Sequence, residues 1–343
     1  MALSAKPFIS RGHDQNMVAF GRQSADGSHV RQILLRLSYA AGPRFMSLHN
    51  KARFCIIGGD SAIGAAMCQD LRAKGVEVRS STRRELVDPM TQFALDLRSA
   101  SNDASIPECD VVVLAASMTR LAECRSNMEA ARLVNVDAQV RLAKQAAKQG
   151  AFVVFLSTNQ VFDGTIANVT PEEKRAPRSI YGHLKAAAEI ELLALRSEVA
   201  VLRLSKVIGK HLSLFETWTR ELRRGGTVDA FDDLMMAPIA QEKVIFGIER
   251  IGTLRLRGIW HLSGREDISY AEAARHLARR LGADEKLIRV TSAAAAGIPE
   301  EERPLHTALD PGAIETMTGV RISDARTELD IGLGFAGRSG AGL

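Results

Sequence analysis

The feature that most constrains the fold is a short apolar strand, residues 53–57, that runs directly into a glycine-rich turn and a helix. An apolar run of this length bounded by glycine is typical of a buried parallel strand. The turn has the sequence Gly58-Gly59-Asp60-Ser61-Ala62-Ile63-Gly64, and a helix is predicted at 65–74. Glycines let a backbone approach a pyrophosphate, and a helix N-terminus offers free N–H groups. The segment predicts a dinucleotide-binding turn, with an ordinary tight turn as the alternative. The predicted contacts are Gly58, Ser61, Ala62, Ile63 and Gly64.

Strands and helices continue to alternate along the chain. Further strands are predicted at 76–81, at a short segment closed by Asp96-Leu97, at 110–116 and at 151–157, and a long helical region is predicted at 121–149. This alternation favours an α/β fold with a Rossmann-like, doubly wound parallel sheet. Open sheets of this kind bind ligands at the carboxyl ends of their strands. The residues predicted at such ends are Asp96, Leu97, Ala115, Ala116, Ser117 and Thr158.

The end of the second predicted strand bears on which dinucleotide is bound. Folds that prefer NAD usually place an Asp or Glu here, on the ribose 2′-hydroxyl. This chain instead has Thr82-Arg83-Arg84, and the next acid is Glu85. Because a guanidinium suits a phosphate, Thr82 and Arg83 predict NADP, with NAD less favoured. The alternative is that the arginines are solvated turn residues.

A Tyr and a Lys four residues apart, Tyr181 and Lys185, are predicted on one face of a helix. An ammonium beside the phenol is expected to lower the pKa of Tyr181 towards neutral pH. Together with a hydroxyl from Thr158 to hold a carbonyl oxygen, this pair suits carbonyl chemistry. A solvated helix face is the usual alternative, and the upstream dinucleotide turn favours the chemical interpretation.

With these motifs in order, the chain resembles the extended short-chain dehydrogenase/reductases, and within them the dTDP-4-dehydrorhamnose reductase-like branch of sugar-nucleotide reductases. The resemblance runs from about residue 53 to about residue 318. Beyond the motifs above it includes residues 133–136, 157–164, 202–205, 231–233 with Pro238, 260–264, and Arg303-Pro304.

The resemblance implies roles for individual residues. Tyr181 would be the general acid in hydride transfer, and Lys185 would hold the nicotinamide ribose. Thr158 would orient the substrate carbonyl, and Asn135 would support the active-site helix or its water, with a purely structural amide as the alternative. Contacts to the substrate are expected from the side chains of Thr119, Lys206 and Arg303.

Departures from the family pattern narrow the prediction. Ser61 replaces the middle glycine of the turn, and Asn159-Gln160 replaces the Asp-Glu pair of sugar-nucleotide dehydratases, which disfavours dehydration because neutral amides cannot transfer those protons. Lys206 replaces a Trp near the substrate, so the sugar accepted is expected to differ. Ala66 replaces a glutamate that contacts a metal in some members, so no metal is predicted.

Composition and charge exclude several classes of protein. A hydrophobic content of 46% and a charged content of 25% are those of a globular protein, and no apolar run is long enough to span a bilayer. Four cysteines without C-x-x-C spacing indicate reduced thiols and a cytoplasmic protein. Residues 1–52 contain seven Lys/Arg against two Asp, which accounts for the whole net charge of +5. Binding to nucleic acid or a membrane is therefore not expected.

The predicted organisation has four parts. The first is an extension at 1–52, which is either disordered or ahead of a natural start at Met46, with a transit peptide as the alternative. A nucleotide-binding domain with the catalytic residues follows at 53–210. The chain ends with a small α/β substrate lobe, interleaved with the sheet, at 211–330 and a flexible tail at 331–343. Within the lobe, helices are expected at 241–250, 269–281 and 311–317, and strands at 258–262 and 287–290.

Two functions of different kinds fit these observations. The first is an NADPH-dependent reductase of a 4-keto nucleotide sugar, as a homodimer if it follows the family. The second is a non-catalytic nucleotide-sensing subunit, as in the regulatory subunit of methionine adenosyltransferase, which resembles this branch. An epimerase is less favoured, because that chemistry usually accompanies tightly held NAD.

Overall fold

The protein is described from a computed structural model that covers residues 52–99, 105–195, 198–209 and 213–336. The predicted N-terminal extension lies outside the described residues except for Ala52, and so do residues 337–343 of the predicted tail. Across the described ranges, the helices are all too short or too polar to cross a bilayer.

Seven parallel strands form one central sheet. They are β1 (Phe54–Ile57), β2 (Val78–Thr82), β3 (Gln92–Ala94), β4 (Val111–Leu114), β5 (Phe152–Thr158), β6 (Val199–Leu204) and β11 (Gly258–Leu262), where the numbers 7 to 10 belong to small strands described below. Their spatial order in the sheet is β11-β6-β5-β4-β1-β2-β3. The chain order reverses between β1 and β4, which opens a crevice at the carboxyl ends of these strands. The predicted doubly wound α/β fold is confirmed.

The helices follow the strands in alternation. They are α1 (Ala62–Ala73), α2 (Leu121–Ser126), α3 (Met128–Arg132), α4 (Ala138–Lys148), α5 (Ile180–Ala194), α6 (Ser213–Arg223), α7 (Gln241–Leu254), α8 (Tyr270–Leu281), α9 (Gly312–Thr318) and α10 (Ala325–Leu333). The predicted helical region at 121–149 is interrupted at Asn127, whose side chain accepts from the Ala130 N–H and starts a new helix. A π-helical turn, Leu133–Asp137, then joins α3 to α4.

Each face of the sheet buries a separate set of side chains. Along β1, Phe54 and Ile56 pack on one face against α1 and α7, whereas Cys55 and Ile57 pack on the other against α4 and α5. This alternation arises because successive strand side chains point to opposite faces. Burial on both faces explains why the central strands β1, β4 and β5 are almost entirely apolar.

Two elements predicted in the small lobe belong to the central sheet instead. Residues 258–262 form β11, the edge strand paired in parallel with β6, so their placement in the lobe was wrong. Helix α7 also covers the sheet, because Ile248 and Ile251 are fully buried in the same cluster as Phe54. A short apolar run shows that a segment is buried but not which core it enters.

The remaining C-terminal elements build the lobe. Its small strands are β7 (Lys206–Ile208), β8 (Val228–Phe231), β9 (Met235–Met236), β10 (Pro238–Ala240), β12 (Ile268–Ser269) and β13 (Ile288–Thr291), in pairs β7 with β10, β9 with β12 and β8 with β13. The strand predicted at 287–290 is thus confirmed as β13. Phe215 and Trp218 of α6 pack with Leu277 of α8 as the core of this lobe. Helix α10 continues to Leu333, so the predicted tail starts too early.

The packing of α7 on the sheet can be tested with two variants of one helix. Ile248→Ala should lower the free energy of unfolding by about 2–5 kcal/mol, because it leaves a cavity in the main core. Phe246→Ala, at a side chain that is 39% exposed, should cost clearly less. Urea denaturation of both variants measures the difference, and equal losses would contradict this packing.

Candidate active site

The glycine-rich turn is held tightly between β1 and the loop after β4. Gly58 has φ +97°, and a Cβ there would lie 2.7 Å from the Ala116 backbone nitrogen. At Gly64 a Cβ would lie 2.1 Å from the Gly58 carbonyl oxygen. Both positions therefore require glycine, the first for its backbone angle as well as for space.

Ser61 fits the turn without strain although it replaces a glycine of the family pattern. Its φ is −76°, and its Oγ accepts a hydrogen bond of 3.0 Å from the Gly64 N–H as the N-cap of α1. Serine is among the preferred residues at this position. The N–H groups of Ala62 and Ile63, in the first turn of α1, lack intrahelical partners. The helix N-terminus thus keeps free donors for an anionic group.

A cavity of about 370 Å³ opens beside this turn, at the carboxyl ends of β1, β2 and β4. The predicted cofactor and substrate residues that line it are Gly58, Ser61, Thr82, Arg83, Asp96, Leu97, Ala116, Ser117 and Thr119. The predicted residues that do not line it are Ala62, Ile63, Gly64, Ala115, Asn135, Thr158, Tyr181, Lys185, Lys206 and Arg303. Sequence reasoning missed the lining residues Asp60, Arg98 and Arg120.

An acidic side chain does stand at the end of β2, but it comes from the glycine-rich turn. The Asp60 carboxylate accepts hydrogen bonds from Thr82 Oγ1, at 2.8 Å, and from the Arg83 N–H, at 3.1 Å. Along the chain after the second strand, the first acidic residue is Glu85, so the strand itself does not indicate this carboxylate. Asp60 precedes Thr82 by 22 residues, so the only available signal was an acid inside the turn itself.

Asp96 and Leu97 lie just beyond β3 and not at its last position. The Arg98 guanidinium donates to Asp96 Oδ2 at 3.0 Å. This hydrogen bond lowers the pKa of Asp96 below its usual value. Leu97 is buried against the sheet, so the pair places one carboxylate and one apolar wall at the cavity.

Asn135 holds the loop after β4 in place from within the π-helical turn. Its Oδ1 accepts from Ser117 Oγ at 2.7 Å and from the Met118 N–H at 2.8 Å, and its Nδ2 donates to the Met118 carbonyl at 3.0 Å. Single π-turns inside helices frequently occur at functional sites. The side-chain contacts of Asn135 are thus with this loop, and its role for the active-site helix or its water stays a prediction.

Tyr181 and Lys185 lie in the first two turns of α5, whose start is packed against the segment after β5. Ser179 caps the helix by accepting from the Gly182 N–H at 3.0 Å, and it donates to Gln160 Oε1 at 2.7 Å. A Cβ on Gly182 would lie 2.1 Å from the Gln160 carbonyl oxygen. The glycine inside the Tyr-x-x-x-Lys motif is therefore required by this close approach.

Thr158 is the last residue of β5, as predicted. Its Oγ1 donates to Asn159 Oδ1 and accepts from the Gln160 N–H, both at 3.3 Å. The two amides that replace the acids of the dehydratases thus hold neighbouring groups: Asn159 contacts Thr158, and Gln160 contacts Ser179.

Burial dominates the protonation of the Tyr/Lys pair. Tyr181 is 9% exposed, and burial raises its pKa to about 12, which the interaction with the Ser117 side chain only partly offsets. Lys185 is 1% exposed, and burial lowers its pKa to about 7 against the opposing charge of Glu189. The expectation that Tyr181 has a lowered pKa is contradicted, because the loss of solvent around the buried phenol raises it.

Lys185 has no hydrogen bond to any residue that the structure describes. Its Nζ lies 3.9 Å from the centre of the Phe155 ring. The obvious partner, Glu189 one turn along α5, receives instead Ser157 Oγ at 2.5 Å, Arg175 Nε at 2.6 Å and an Arg203 nitrogen at 2.7 Å. A buried ammonium without a partner is suited to bind hydroxyl groups of a ligand.

The predicted substrate residues are not brought together. Thr119 lines the cavity. The Lys206 ammonium lies 5.6 Å from the centre of the Tyr270 ring in the lobe. Arg303 donates to the Ile298 carbonyl and lies 4.0 Å from an Asp233 oxygen. The described residues contain no cluster of three His, Cys, Asp or Glu side chains able to hold a metal.

A parallel Rossmann-like sheet, a glycine-rich turn at β1 and a Thr/Tyr/Lys set on β5 and α5 define an extended short-chain dehydrogenase/reductase. The sequence profile of the RmlD substrate binding domain matches residues 52–333. The chain belongs to this family, and with it to the dTDP-4-dehydrorhamnose reductase-like branch of sugar-nucleotide reductases.

Individual relatives are distant. A dTDP-4-dehydrorhamnose reductase of Mycobacterium tuberculosis is 27% identical over 252 residues, which cover 71% of this chain and 80% of the relative. Methionine adenosyltransferase 2 subunit beta of Pongo abelii is 27% identical over 218 residues, 60% of this chain and 64% of that protein. Among solved structures, dTDP-4-dehydrorhamnose reductase from Bacillus anthracis in complex with NADP superposes with a TM-score of 0.71 at 18% identity, over 83% of this chain and 100% of that one.

Lys185→Met should remove a pH-dependent part of the stability. The pKa of Lys185 is about 7 in the folded chain, whereas a lysine in the unfolded chain titrates near about 10.4. Between these values the unfolded chain binds the extra proton, so this residue makes the free energy of unfolding rise with pH. Wild type should therefore gain stability relative to the variant between about pH 7 and 9.5 in urea denaturation.

The control for this measurement is Lys144→Met, which removes an exposed ammonium from α4. Its stability difference from wild type should not change with pH. If the difference for Lys185→Met is equally constant, Lys185 is not a buried ammonium of lowered pKa.

Proposed function

We propose that the protein reduces the keto group of a 4-keto nucleotide sugar with a nicotinamide dinucleotide as the hydride source. The observation that carries the proposal is the position of Ser117. This residue lines the dinucleotide-type cavity, and its side chain also interacts with the Tyr181 phenol, whose pKa it lowers against the effect of burial. The proposed proton donor is thus one side chain away from the proposed cofactor site.

The residues of this chain divide the remaining chemistry among them. The bound dinucleotide would supply the hydride. Because its pKa is near 12, Tyr181 keeps its proton at neutral pH and can give it to the substrate oxygen as negative charge develops there. Thr158 would hold that oxygen by a hydrogen bond, and Lys185 would bind the ribose hydroxyls of the cofactor. Asn135 and Ser117 would keep the Tyr181 hydroxyl in place.

We further propose NADPH as the preferred reductant. Arg83 is exposed at the rim of the cavity, and Thr82 stands beside it at the end of β2. A guanidinium at this point suits the ribose 2′-phosphate. The substrate end is assigned only by class: with Lys206 in the place of an aromatic residue, the sugar is expected to differ from dTDP-4-dehydrorhamnose.

A second candidate function is a nucleotide-binding regulatory subunit. It is favoured by the similarity to methionine adenosyltransferase 2 subunit beta and by the near-complete burial of Tyr181 and Lys185. A sensor needs the cavity but not a proton donor. The two functions therefore differ in whether Tyr181 matters for anything besides packing.

Tyr181→Phe separates the two functions. The variant should lower kcat by about 100-fold or more, because it removes the proton donor, while the Kd for NADPH stays nearly unchanged. NADPH oxidation is followed with a panel of 4-keto nucleotide sugars, and cofactor binding is followed by calorimetry. His183→Ala is the matched control, since His183 is exposed inside the same motif and its loss should leave kcat unaltered.

Full turnover in Tyr181→Phe would contradict the assignment of Tyr181. If the wild-type protein binds NADPH but oxidises it with no sugar of the panel, the result would favour the regulatory subunit.

A further inference from the structure

We infer that Asp60 determines cofactor specificity: its carboxylate disfavours the 2′-phosphate of NADPH and so keeps the site open to NADH, against the opposing preference of Arg83. The inference rests on the nicotinamide site proposed above, but not on the identity of the sugar or on turnover. It adds a residue that neither the family pattern nor the sequence of β2 indicates.

The geometry places Asp60 at the donors that a 2′-phosphate would need. Asp60 Oδ2 accepts from Thr82 Oγ1 and from the Arg83 N–H. Thr82 Oγ1 donates its single proton to Asp60 and accepts from the Arg84 N–H at 3.0 Å, so it has no proton left for a phosphate. Two donors at the end of β2 are thus already occupied by a negative charge of the protein.

NADH and NADPH differ only at the 2′ position of the adenosine ribose, which carries a hydroxyl in NADH and a phosphate in NADPH. In Rossmann folds the end of the second strand faces the 2′ position of the adenosine ribose. A carboxylate accepts a hydrogen bond from a 2′-hydroxyl, whereas it repels a phosphate and competes with it for donors. NADH can therefore bind with Asp60 in place, whereas NADPH must displace its hydrogen bonds or tolerate its charge.

Arg83 supplies the opposing attraction. Its side chain is exposed at the cavity, and among the described residues no hydrogen bond to its guanidinium is present. Its charge also acts on the Asp96 carboxylate, whose pKa it helps to lower, and a guanidinium without a hydrogen bond can approach a phosphate in a bidentate manner. With Arg83 favouring NADPH and Asp60 disfavouring it, the site is expected to keep the preference for NADPH proposed above but to limit it to about tenfold over NADH.

Asp60→Asn tests this inference with little change of shape. The amide oxygen can still accept from Thr82 and Arg83, but the negative charge is gone. The Kd values of NADPH and NADH are measured by calorimetry on the full chain without sugar. The variant should raise the affinity for NADPH relative to NADH by about fivefold or more, the scale of one charged hydrogen bond. Arg83→Ala should shift the same ratio in the opposite direction.

Asp88→Asn is the matched control. Asp88 lies close in sequence to Arg83 and is also hydrogen-bonded, to Thr91, but it does not line the cavity. The same change of net charge there should leave the ratio unaltered. As a second readout, 2′,5′-ADP compared with 5′-ADP isolates the phosphate, and Asp60→Asn should strengthen only the former.

Equal changes for both cofactors, or none, in Asp60→Asn would overturn the inference, and so would failure of wild type and variant to bind either one. A selective gain for NADPH in a protein without reductase activity would support the role of Asp60 and count against the proposed reaction alone. The two proposals therefore fail by different measurements.

Discussion

The buried carboxylate of Glu189 is the interaction on which the rest of the site depends. Burial would raise its pKa, but the hydrogen bonds and charge of Arg203 outweigh burial and keep the pKa lowered. Arg203 also contacts His261 Nε2 at 3.2 Å, and His261 in turn contacts the Val169 carbonyl. The network thus joins α5 to β5, β6, β11 and the loop before α5. Removal of one partner from such a buried pair typically costs about 3–5 kcal/mol.

The same network explains the unusual state of Lys185. A Lys and a Glu four residues apart on a helix ordinarily pair, but the Glu189 carboxylate accepts its hydrogen bonds from Ser157, Arg175 and Arg203 instead. Lys185 is left buried, with a pKa near 7, and free for a ligand. Tyr181 is buried beside it with a raised pKa. At neutral pH Tyr181 therefore keeps its proton, whereas Lys185 is close to its pKa and exchanges its proton readily.

Local patterns in the sequence were enough to predict where the cavity lies. They were not enough to predict the side chains whose partners are distant in sequence. The glycine-rich turn, the small residues after β4 and Thr158 at the end of β5 all follow from strand ends that a period and a bounding glycine reveal. Asp60 and Glu189 escaped prediction because their partners are far along the chain: Asp60 meets Thr82, and Glu189 meets Arg203. The strand at 258–262 was assigned to the wrong sheet for the same reason, since pairing partners leave no local signal.

The sequence by itself determined the class of fold, the glycine-rich turn after the first strand and the Thr, Tyr and Lys at the proposed catalytic positions. These depend on spacing and residue type along a few neighbouring positions. Only the tertiary structure decided the charge state of Tyr181 and Lys185, the partner of Asn135 and the acid at the end of β2. Each of these depends on solvent exclusion or on contacts between distant segments, and both arise only when the sheet and its helices pack together.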